Sequence, residues 1–424
     1  MLHKLRLKRS LYLLVARYFK LWSSISLNRW KPKIIAVTGS VGKTTMLHLL
    51  EIQLGDTAHY SHNANSMYGI AFDIVGLRGI TNSRWRWFLL LIAVPFRSLW
   101  FRHTEDYYVV EIDGERPKEA EMIAGWLKPD VCLWISVGNS HAVYYDSLVS
   151  SGQFTTVEEA IANEFASIPK NTKDLVVIDA ENPLMKQFTG DIDTKVVAVS
   201  GQPDSYTVLA DHTAITVDGH SFQFAFPTPK SITTQLNMLV VIARYLEIPI
   251  TTDLSQFVMP PGRSNYFEGK KGIKIIDSTY NAHLLSMQSI LDMYSQIDEP
   301  HKWLVIGDMI EQGKSEASEH QKLANLLQTM EVETIILVGK RTAKYVLPIL
   351  EESSLTSTIK SFTTTQDALA YIETNGTGRE TILLKGSQYL EWIVEKLLAH
   401  PADISHLARQ EPAAKKRRLE RGLS

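Results

Sequence analysis

The feature that most constrains the fold is a short glycine-containing loop between an apolar run and a helical run. The apolar run 34–37 is followed by Thr-Gly-Ser-Val-Gly-Lys-Thr-Thr at 38–45, and a helical pattern continues to Leu54. A loop of this kind turns backbone N–H groups and the positive end of the helix toward phosphate oxygens. The generic phosphate-binding loop has a glycine where this chain has Val37, so the motif is a shorter variant.

Lys43 and the hydroxyl residue after it, Thr44, predict that this loop binds ATP and magnesium. We expect Lys43 to contact the β- and γ-phosphates and the Thr44 hydroxyl to help hold Mg²⁺. The alternative is a glycine turn that only packs the helix on the strand. This alternative is disfavoured because a strand, the loop, Gly-Lys-Thr and a helix follow one another in the order expected of a phosphate-binding loop. The predicted nucleotide-binding residues of the loop are Gly39, Ser40, Val41, Gly42, Lys43, Thr44 and Thr45.

Short β-rich runs and helical stretches alternate along most of the chain. The β-rich runs are 33–37, 107–112, 131–136, 175–178, 273–276, 303–306, 334–338 and 381–384. The helical stretches between them are 44–54, 158–167, 286–294, 319–330 and 390–399. Strand and helix in turn predict an α/β fold with largely parallel sheets.

The prolines and glycine of Pro260-Pro261-Gly262 predict a domain boundary, because they end the preceding helical region. A chain of 424 residues is long enough for two or three domains. We predict a basic amphipathic segment at 1–32, an ATP-binding domain at 33–259 with an apolar insertion near 84–102, a second domain at 260–400 and a basic tail at 401–424.

Charge and cysteine content exclude several classes of protein. Lys and Arg number 44 against 46 Asp and Glu, so a net charge of −2 argues against nucleic acid as a partner. The single cysteine, Cys132, cannot form an intramolecular disulfide and suits a reducing compartment. We therefore expect a cytoplasmic protein, and we expect it to be a monomer.

Two basic, apolar segments stand apart from the alternating pattern. Residues 1–33 hold nine Lys or Arg and no acidic residue. Arg17 and Lys20 interrupt the apolar stretch of this segment, which is therefore too short and too charged to cross a bilayer. The apolar run 87–96 is flanked by four arginines within 84–102. We expect residues 1–30 and 84–102 either to contact the inner face of the membrane peripherally or to pack on the protein or a partner subunit. The basic cluster at 415–418 predicts a solvated tail, with anionic lipid as the alternative.

The loop variant resembles the ATP loop of the Mur ligases, the ATP-dependent amide ligases of peptidoglycan precursor synthesis. Other segments that resemble this family, in its order, are 62–69 (HNANSMYG), 110–114 (VEIDG), 128–130 (KPD), 136–141 (SVGNSH), 262–263 (GR), 277–282 (DSTYNA), 307–311 (GDMIE) and 385–387 (KGS). The resemblance spans about 33–398 and is closest to the ligase that adds D-alanyl-D-alanine.

The resemblance implies a central P-loop ATPase-type domain with a parallel sheet, followed by a Rossmann-like C-terminal Mur ligase domain. It implies that a peptide carboxylate attacks the γ-phosphate of ATP and that the acyl phosphate reacts with an amino acid or dipeptide amine. The cofactors would be ATP and Mg²⁺, and the partners a peptidoglycan precursor peptide and, most simply, D-alanyl-D-alanine. The implied catalytic residues are Lys43, Glu111 and His141, and the implied metal ligands are Thr44, Glu111 and His141.

The resemblance also implies contacts further along the chain. Arg263 would reach ATP across the domain junction, and Asp277 and Asn281 would contact its ribose or base. Asn237 is a further implied nucleotide contact. The implied substrate contacts are Asn63, Asn65, Asp308, Lys385 and Ser387. Asp308 has an alternative role as a turn former in its Gly-Asp-Met sequence.

Two departures from the family leave a second function open. Related ligases carry a lysine, often carbamylated, on the helix after the histidine loop, where this chain has Phe165 or, in another alignment, Ala162. We predict that the helix after the histidine loop contains no lysine at all. A UDP-sugar-binding domain precedes the ATP loop of full-length relatives, whereas about thirty residues precede it here. The alternative function is a degenerate nucleotide-binding scaffold of a cell-wall assembly. A third candidate function is that of a P-loop ATPase or kinase. The motifs of the last domain at 277–282, 307–311 and 385–387 disfavour it.

Overall fold

The computed structural model describes residues 2–62, 64–77, 84–139, 141–209, 212–386 and 389–423, and for 2–14 and Arg84 it describes the backbone alone. The chain divides into two compact units. The first comprises Met1–Val137, Glu159–Val199 and Met238–Pro249, and the second comprises Gly138–Glu158, Ser200–Asn237 and Ile250–Ser424. Both units are α/β, as predicted. The domain boundary at 259/260 stays a prediction.

The first unit is built on a parallel sheet whose central strand leads into the glycine loop. In the described part of the chain its strands are β1 (Lys33–Thr38), β2 (Ala58–Tyr60), β3 (Tyr107–Glu111), β4 (Val131–Trp134), β5 (Leu175–Asp179) and β6 (Lys195–Val199), in the spatial order β2-β3-β1-β4-β5-β6. The residues of β3 and β4 are almost all buried, as in strands covered on both faces. The carboxyl ends of β1, β3 and β4 meet where the strand order reverses, which is where open α/β sheets bind ligands.

Helices separate most of these strands. Up to Tyr245 the described helices are α1 (Leu2–Trp30), α2 (Lys43–Leu54), α3 (Met67–Ile74), α4 (Arg84–Trp100), α5 (Glu119–Leu127), α6 (Asp146–Ser150), α7 (Val157–Lys170), α8 (Pro183–Thr189) and α9 (Thr233–Tyr245). The predicted basic segment is thus a 29-residue helix, α1, and the predicted insertion forms α4. Among the described residues, no helix combines the length and apolar character that crossing a membrane requires.

The prediction that the helix after the histidine loop lacks lysine is wrong. A proline usually ends a helix at the residue before it, but α7 continues through Pro169 and ends at Lys170. Lys170 lies at the end of α7 that leads to the start of β5, opposite the edge that carries the glycine loop. Its ammonium lies 5.8 Å from the centre of the Phe188 ring. Lys170 therefore lies away from the glycine loop, and the correspondence of Phe165 or Ala162 to the family lysine stays a prediction.

The second unit contains a mixed sheet and a small antiparallel one. The small sheet consists of β7 (Ser205–Val208), β8 (Thr213–Val217) and β9 (His220–Phe224). The described strands of the larger sheet are β10 (Asn265–Glu268), β11 (Lys274–Ser278), β12 (Lys302–Gly307), β13 (Thr334–Val338), β14 (Thr358–Phe362) and β15 (Thr381–Lys385), in the order β10-β11-β15-β12-β13-β14. Only β10 runs antiparallel within this described sheet. The carboxyl ends of β11, β15 and β12 are therefore neighbours.

Helices also surround the larger sheet, and the end of the chain packs on it. The described helices of this part are α10 (Leu284–Gln296), α11 (Glu316–Leu327), α12 (Leu347–Glu351), α13 (Thr365–Asn375), α14 (Leu390–Leu397) and α15 (Pro412–Leu419). The prediction of a solvated tail is confirmed for Lys415, Lys416 and Arg417, which are exposed, but it is wrong for Arg418. Arg418 is buried and its guanidinium lies 2.7 Å from Glu395 Oε2, while Leu407 and Leu423 belong to the core. The partner carboxylate on α14 allows this basic residue to be buried.

Candidate active site

Gly39 allows the glycine loop to pass close to the segment after β4. Its φ angle is +136°, and a Cβ atom there would lie 2.8 Å from the backbone nitrogen of Ser136. Gly42 has a φ of +86° and occupies the cap position before α2. Both positions therefore require glycine. The two glycines of the loop are therefore explained by its backbone geometry as well as by the need to bind phosphate.

Two N–H groups of the loop are used inside the protein. Ser40 N–H donates to the Ser136 carbonyl oxygen at 3.1 Å, and Val41 N–H donates to Ser136 Oγ at 2.8 Å. The first turn of α2, in contrast, receives no side-chain cap among the described residues. The N–H groups of this first turn are the ones that the helix leaves for a phosphate.

The Lys43 ammonium lies against the loop. It donates to the Gly39 carbonyl oxygen at 2.6 Å and lies 3.5 Å from Asp113 Oδ1. Its side chain is only 10% exposed. Lys43 therefore lies folded over the loop, with its charge paired to a carboxylate that follows β3.

Thr44 and Glu111 bring two oxygen atoms together at the carboxyl edge of the sheet. The Thr44 hydroxyl donates to Glu111 Oε2 at 3.0 Å, and Glu111 is buried at the end of β3. Two neighbouring ligands of octahedral Mg²⁺, each about 2.1 Å from the ion, lie about 3 Å apart. The pair therefore fits the hard-oxygen ligand set that magnesium prefers. Ser61 supports it, because its Oγ accepts the Glu111 N–H at 2.9 Å.

The asparagine-rich stretch borders this edge through its backbone. The carbonyl oxygen of Asn65 accepts the N–H of Asp113 at 3.2 Å. Asn63 lies outside the described residues. The substrate roles of both asparagines stay predictions.

Phe165, which with Ala162 is one of the two positions predicted for the lysine of the family, is buried beside Gly114. Its side chain is 1% exposed, and a Cβ atom added to Gly114 would lie 3.0 Å from its ring. The neighbouring Glu164 accepts N–H groups of Lys118 and Ala120 at 2.7 and 2.8 Å, which caps the start of α5. The space beside Gly114 is therefore filled by the Phe165 ring, and the Glu164 carboxylate next to it caps α5.

Asp277 and Lys385 lie at the carboxyl ends of β11 and β15 in the second unit. Asp277 is fully buried, and its Oδ1 accepts the N–H and hydroxyl of Thr279 at 2.9 and 2.6 Å. Its Oδ2 has no hydrogen-bond partner within the described chain. Burial raises the pKa of Asp277. A buried oxygen left in this way is a natural acceptor for a ligand hydroxyl, which fits the predicted ribose contact.

Lys385 is also buried, and its ammonium donates to the Asn281 carbonyl oxygen at 2.7 Å. Burial, helped by the nearby Arg263 charge, lowers the pKa of Lys385 to about 7, while Asp277 opposes this shift. The Asn281 side chain turns back to accept the Ala282 N–H at 2.8 Å. Ser387 lies outside the described residues.

Two arginines flank the ring of Tyr280. The guanidinium of Arg263 lies 4.7 Å from the ring centre and that of Arg409 lies 5.7 Å from it. Arg409 also donates to the carbonyl oxygens of Thr279 and Tyr280 and pairs with Glu391. Sequence reasoning missed Arg409, because a lone arginine in the predicted tail carries no motif.

His141 contacts a carboxylate from the Gly-Asp-Met-Ile-Glu segment. Its Nδ1 lies 2.9 Å from Glu311 Oε2, and both residues have positive φ angles, 56° and 63°. Such backbone strain in residues other than glycine is concentrated at functional sites. Glu311 belongs to the segment 307–311 that resembles the family, but the sequence did not indicate it as a site residue. His141 and Glu111 belong to different compact units, and their shared metal site stays a prediction.

The Asp308 carboxylate binds backbone N–H groups of the segment that follows β13. It is fully buried, and its Oδ1 accepts the N–H groups of Arg341 and Thr342 at 3.1 and 2.9 Å. These contacts cap the helical segment after β13 and are not a turn within Gly-Asp-Met, so the substrate role and the turn-forming alternative both stay predictions. Asn237 Nδ2 donates to the Ser200 carbonyl oxygen at 2.9 Å.

Comparison with known proteins matches two successive parts of the chain. Profiles of the Mur ligase middle domain and of the Mur ligase glutamate ligase domain match residues 37–241 and 262–388. The UDP-N-acetylmuramoyl-tripeptide–D-alanyl-D-alanine ligase of Buchnera aphidicola is 22% identical over 400 residues, which is 87% of this chain and 77% of the relative. The ligase of the same name from Bacillus subtilis is 22% identical over 383 residues, 87% and 76% of the two chains.

Solved structures show the same fold. Crystal structures of MurF from Acinetobacter baumannii and of MurF from Thermotoga maritima in complex with ADP both give a TM-score of 0.71 at 19% identity. They cover 91% and 90% of this chain, and this chain covers 79% and 82% of theirs. The two successive Mur ligase domain matches, together with the phosphate loop and its carboxylate–hydroxyl pair, identify the chain as an ATP-dependent acid–amino-acid ligase. The chain belongs to the Mur ligase family.

Proposed function

We propose that this ligase activates the carboxylate of a peptidoglycan precursor peptide and joins it to D-alanyl-D-alanine or a similar amine. The observation that carries the proposal is the phosphate loop with Lys43 over it and the Thr44–Glu111 pair beside it. The names of the sequence relatives support the choice of donor peptide and amine. We further propose that the protein acts in the cytoplasm as a monomer.

The reaction needs positioning and charge neutralisation more than covalent catalysis by the protein. A donor carboxylate oxygen bonds to the γ-phosphorus while the bond to ADP breaks. The amine nitrogen then attacks the acyl carbon, the phosphate leaves and the nitrogen loses a proton. In this proposal Lys43 stabilises the charge on the transferred phosphoryl group, and the first turn of α2 holds the phosphates through its N–H groups.

Magnesium would be held by Thr44 and Glu111, and we propose His141 as a ligand of a second ion. Bound there, the ion would neutralise phosphate charge. Arg263, Asp277, Asn281 and Asn237 are the proposed nucleotide contacts of the second part of the chain. Lys385, Ser387, Asn63, Asn65 and Asp308 are the proposed substrate contacts.

The test is release of ADP and phosphate with Mg²⁺-ATP, a muropeptide tripeptide in UDP-linked and lipid-linked forms, and D-alanyl-D-alanine, with products read by mass spectrometry. We expect release that depends on both substrates and a product heavier by one dipeptide. Glu111→Gln should lose this release. Glu115→Gln, which changes a nearby carboxylate that is 42% exposed, is the matched control and should keep it.

One observation supports the scaffold alternative: Phe165 and Ala162, the two positions where the resemblance would place a lysine, are both buried and apolar. A scaffold would bind ATP without turnover. Nucleotide binding by calorimetry, combined with no ADP release for any pairing of donor and amine, would support that alternative and refute the ligase proposal.

A further inference from the structure

Helix α4 is apolar on two opposite faces, and the protein covers only one of them. Leu90, Val94 and Ser98 follow one another at intervals of four residues and are buried. Leu90 and Val94 pack with Phe19 of α1 and Phe72 of α3 in one cluster. At 100° per residue the more exposed apolar side chains fall on the other side of the helix, whereas Leu91, 37% exposed, lies beside the buried face. The more exposed ones are Trp85, Phe88, Leu89, Ile92, Phe96, Leu99 and Trp100, between 46% and 69% exposed.

Helix α1 repeats this pattern. Its residues Ala16, Phe19, Ser23 and Ser26 are buried. Leu21 and Ile25, one turn apart on the opposite side, are 60% and 37% exposed. We call these two residues, with the exposed apolar residues of α4, the α1–α4 surface. A patch of this kind marks an interaction site in a soluble protein.

Polar contacts hold α4 in this orientation. Pro95 has no N–H, so it leaves the Leu91 carbonyl oxygen without its helical partner, and Tyr18 Oη donates to that oxygen at 2.7 Å. Arg29 of α1 donates to the carbonyl oxygens of Ser98, Leu99 and Phe101 at 2.9, 3.0 and 2.6 Å. The end of α4 is therefore fixed, and its apolar residues point outward as part of a built surface.

The charge of the two segments identifies the chemistry of the occupant. Residues 1–33 and 84–102 contain 13 of the 44 basic residues and no acidic one, so the remaining chain has 31 basic and 46 acidic residues. They also contain five of the nine tryptophans. A basic, tryptophan-rich apolar surface matches an anionic lipid headgroup layer. A second copy of the same surface would meet it with like charge.

We propose that the α1–α4 surface binds anionic membranes, with α4 lying in the plane of the interface and its outward apolar face among the upper acyl chains. A helix of 17 residues is about 26 Å long, shorter than the hydrocarbon core of a bilayer. Lying flat, it exposes only side chains to the lipid, because Tyr18 and Arg29 of α1 satisfy the carbonyl groups that α4 leaves without helical partners. This proposal does not depend on which amine or donor the ligase uses.

Flotation of the full-length protein with vesicles tests the proposal. We expect strong binding to vesicles of phosphatidylcholine with phosphatidylglycerol, and binding to pure phosphatidylcholine at least about tenfold weaker. Phe88→Glu/Ile92→Glu changes two exposed residues, so the fold should survive, and it should lower the partition coefficient at least about tenfold. Leu209→Glu/Val258→Glu, which changes two apolar residues exposed by 44% and 72% elsewhere, should bind as the unchanged protein does.

Depth is measured by quenching tryptophan fluorescence with brominated lipids. Most of the quenching should disappear in Trp85→Phe/Trp100→Phe, whereas Trp134→Phe, which changes a buried residue, should leave it unchanged. Wild-type flotation of Phe88→Glu/Ile92→Glu would overturn the proposal. A lipid-free dimer by light scattering that this variant converts to a monomer would also overturn it, since the surface would then be an interface between copies.

Discussion

Replacing Lys43 by methionine should affect folding and turnover to very different extents. The ammonium lies 3.5 Å from Asp113 Oδ1, and the two side chains are 10% and 20% exposed. At an effective dielectric of about 20 this pair attracts by about 5 kcal/mol before desolvation is counted. Asp113 also accepts the Gly114 N–H at 2.9 Å, so the carboxylate left behind keeps one partner. We therefore expect Lys43→Met to lower the free energy of unfolding by only about 1–2 kcal/mol.

The same change should reduce ADP release by about 100-fold or more, because the charge next to the transferred phosphoryl group is lost. Lys43→Met/Asp113→Asn removes both charges and should regain most of the stability but none of the turnover. Lys195→Met, which changes an exposed lysine of the same unit, is the control for both measurements. Urea unfolding and coupled ADP release provide the two readouts. Wild-type turnover in Lys43→Met would refute the phosphate-loop assignment, and a double variant less stable than the single one would refute the ion-pair argument.

Three further changes test other parts of the structure. Phe165→Lys should destabilise by about 3 kcal/mol, because the ring is packed on Gly114; a gain of turnover in bicarbonate would instead point to a damaged ancestral metal site. The folded-state pKa of Lys385 is about 7, below the usual lysine value of 10.5, so the unfolded chain binds more protons than the folded chain between these two values. The free energy of unfolding should therefore rise by about 2 kcal/mol from pH 7 to 9, and Lys385→Met should remove this slope in urea titrations. Arg418→Ala leaves Glu395 without its buried partner and should cost about 3 kcal/mol or more in urea, whereas a loss below 1 kcal/mol would mean that the tail is dispensable.

Local pattern was enough to predict the main strands and the glycine loop. The strand 334–338 agrees with β13 residue for residue, because an apolar run between turn residues has few alternatives. Short or polar strands were missed. Among them are β2, which has three residues, and β14, whose Thr-Ile-Lys-Ser-Phe sequence lies at a sheet edge and has little burial to reveal it.

Contacts between distant residues were harder to predict than elements. The sequence indicated His141 and Glu111 separately, but it carried no signal that His141 would lie against Glu311, 170 residues away. In the same way, Arg418 in a run of four basic residues is typical of a solvated tail until its partner Glu395 is known. Burial of a charge depends on its partner, and a single sequence does not state which residues are partners.

The hydroxyl that Tyr18 supplies to the Leu91 carbonyl oxygen has a consequence for how this protein arose. Pro95 makes α4 dependent on α1, and Arg29 makes the last turn of α4 dependent on it as well. A chain that acquired one of these helices without the other would hold either unsatisfied carbonyl groups or an uncovered apolar cluster. We therefore expect that α1 and α4 were inherited as a pair, and that relatives of this protein contain either both helices or neither.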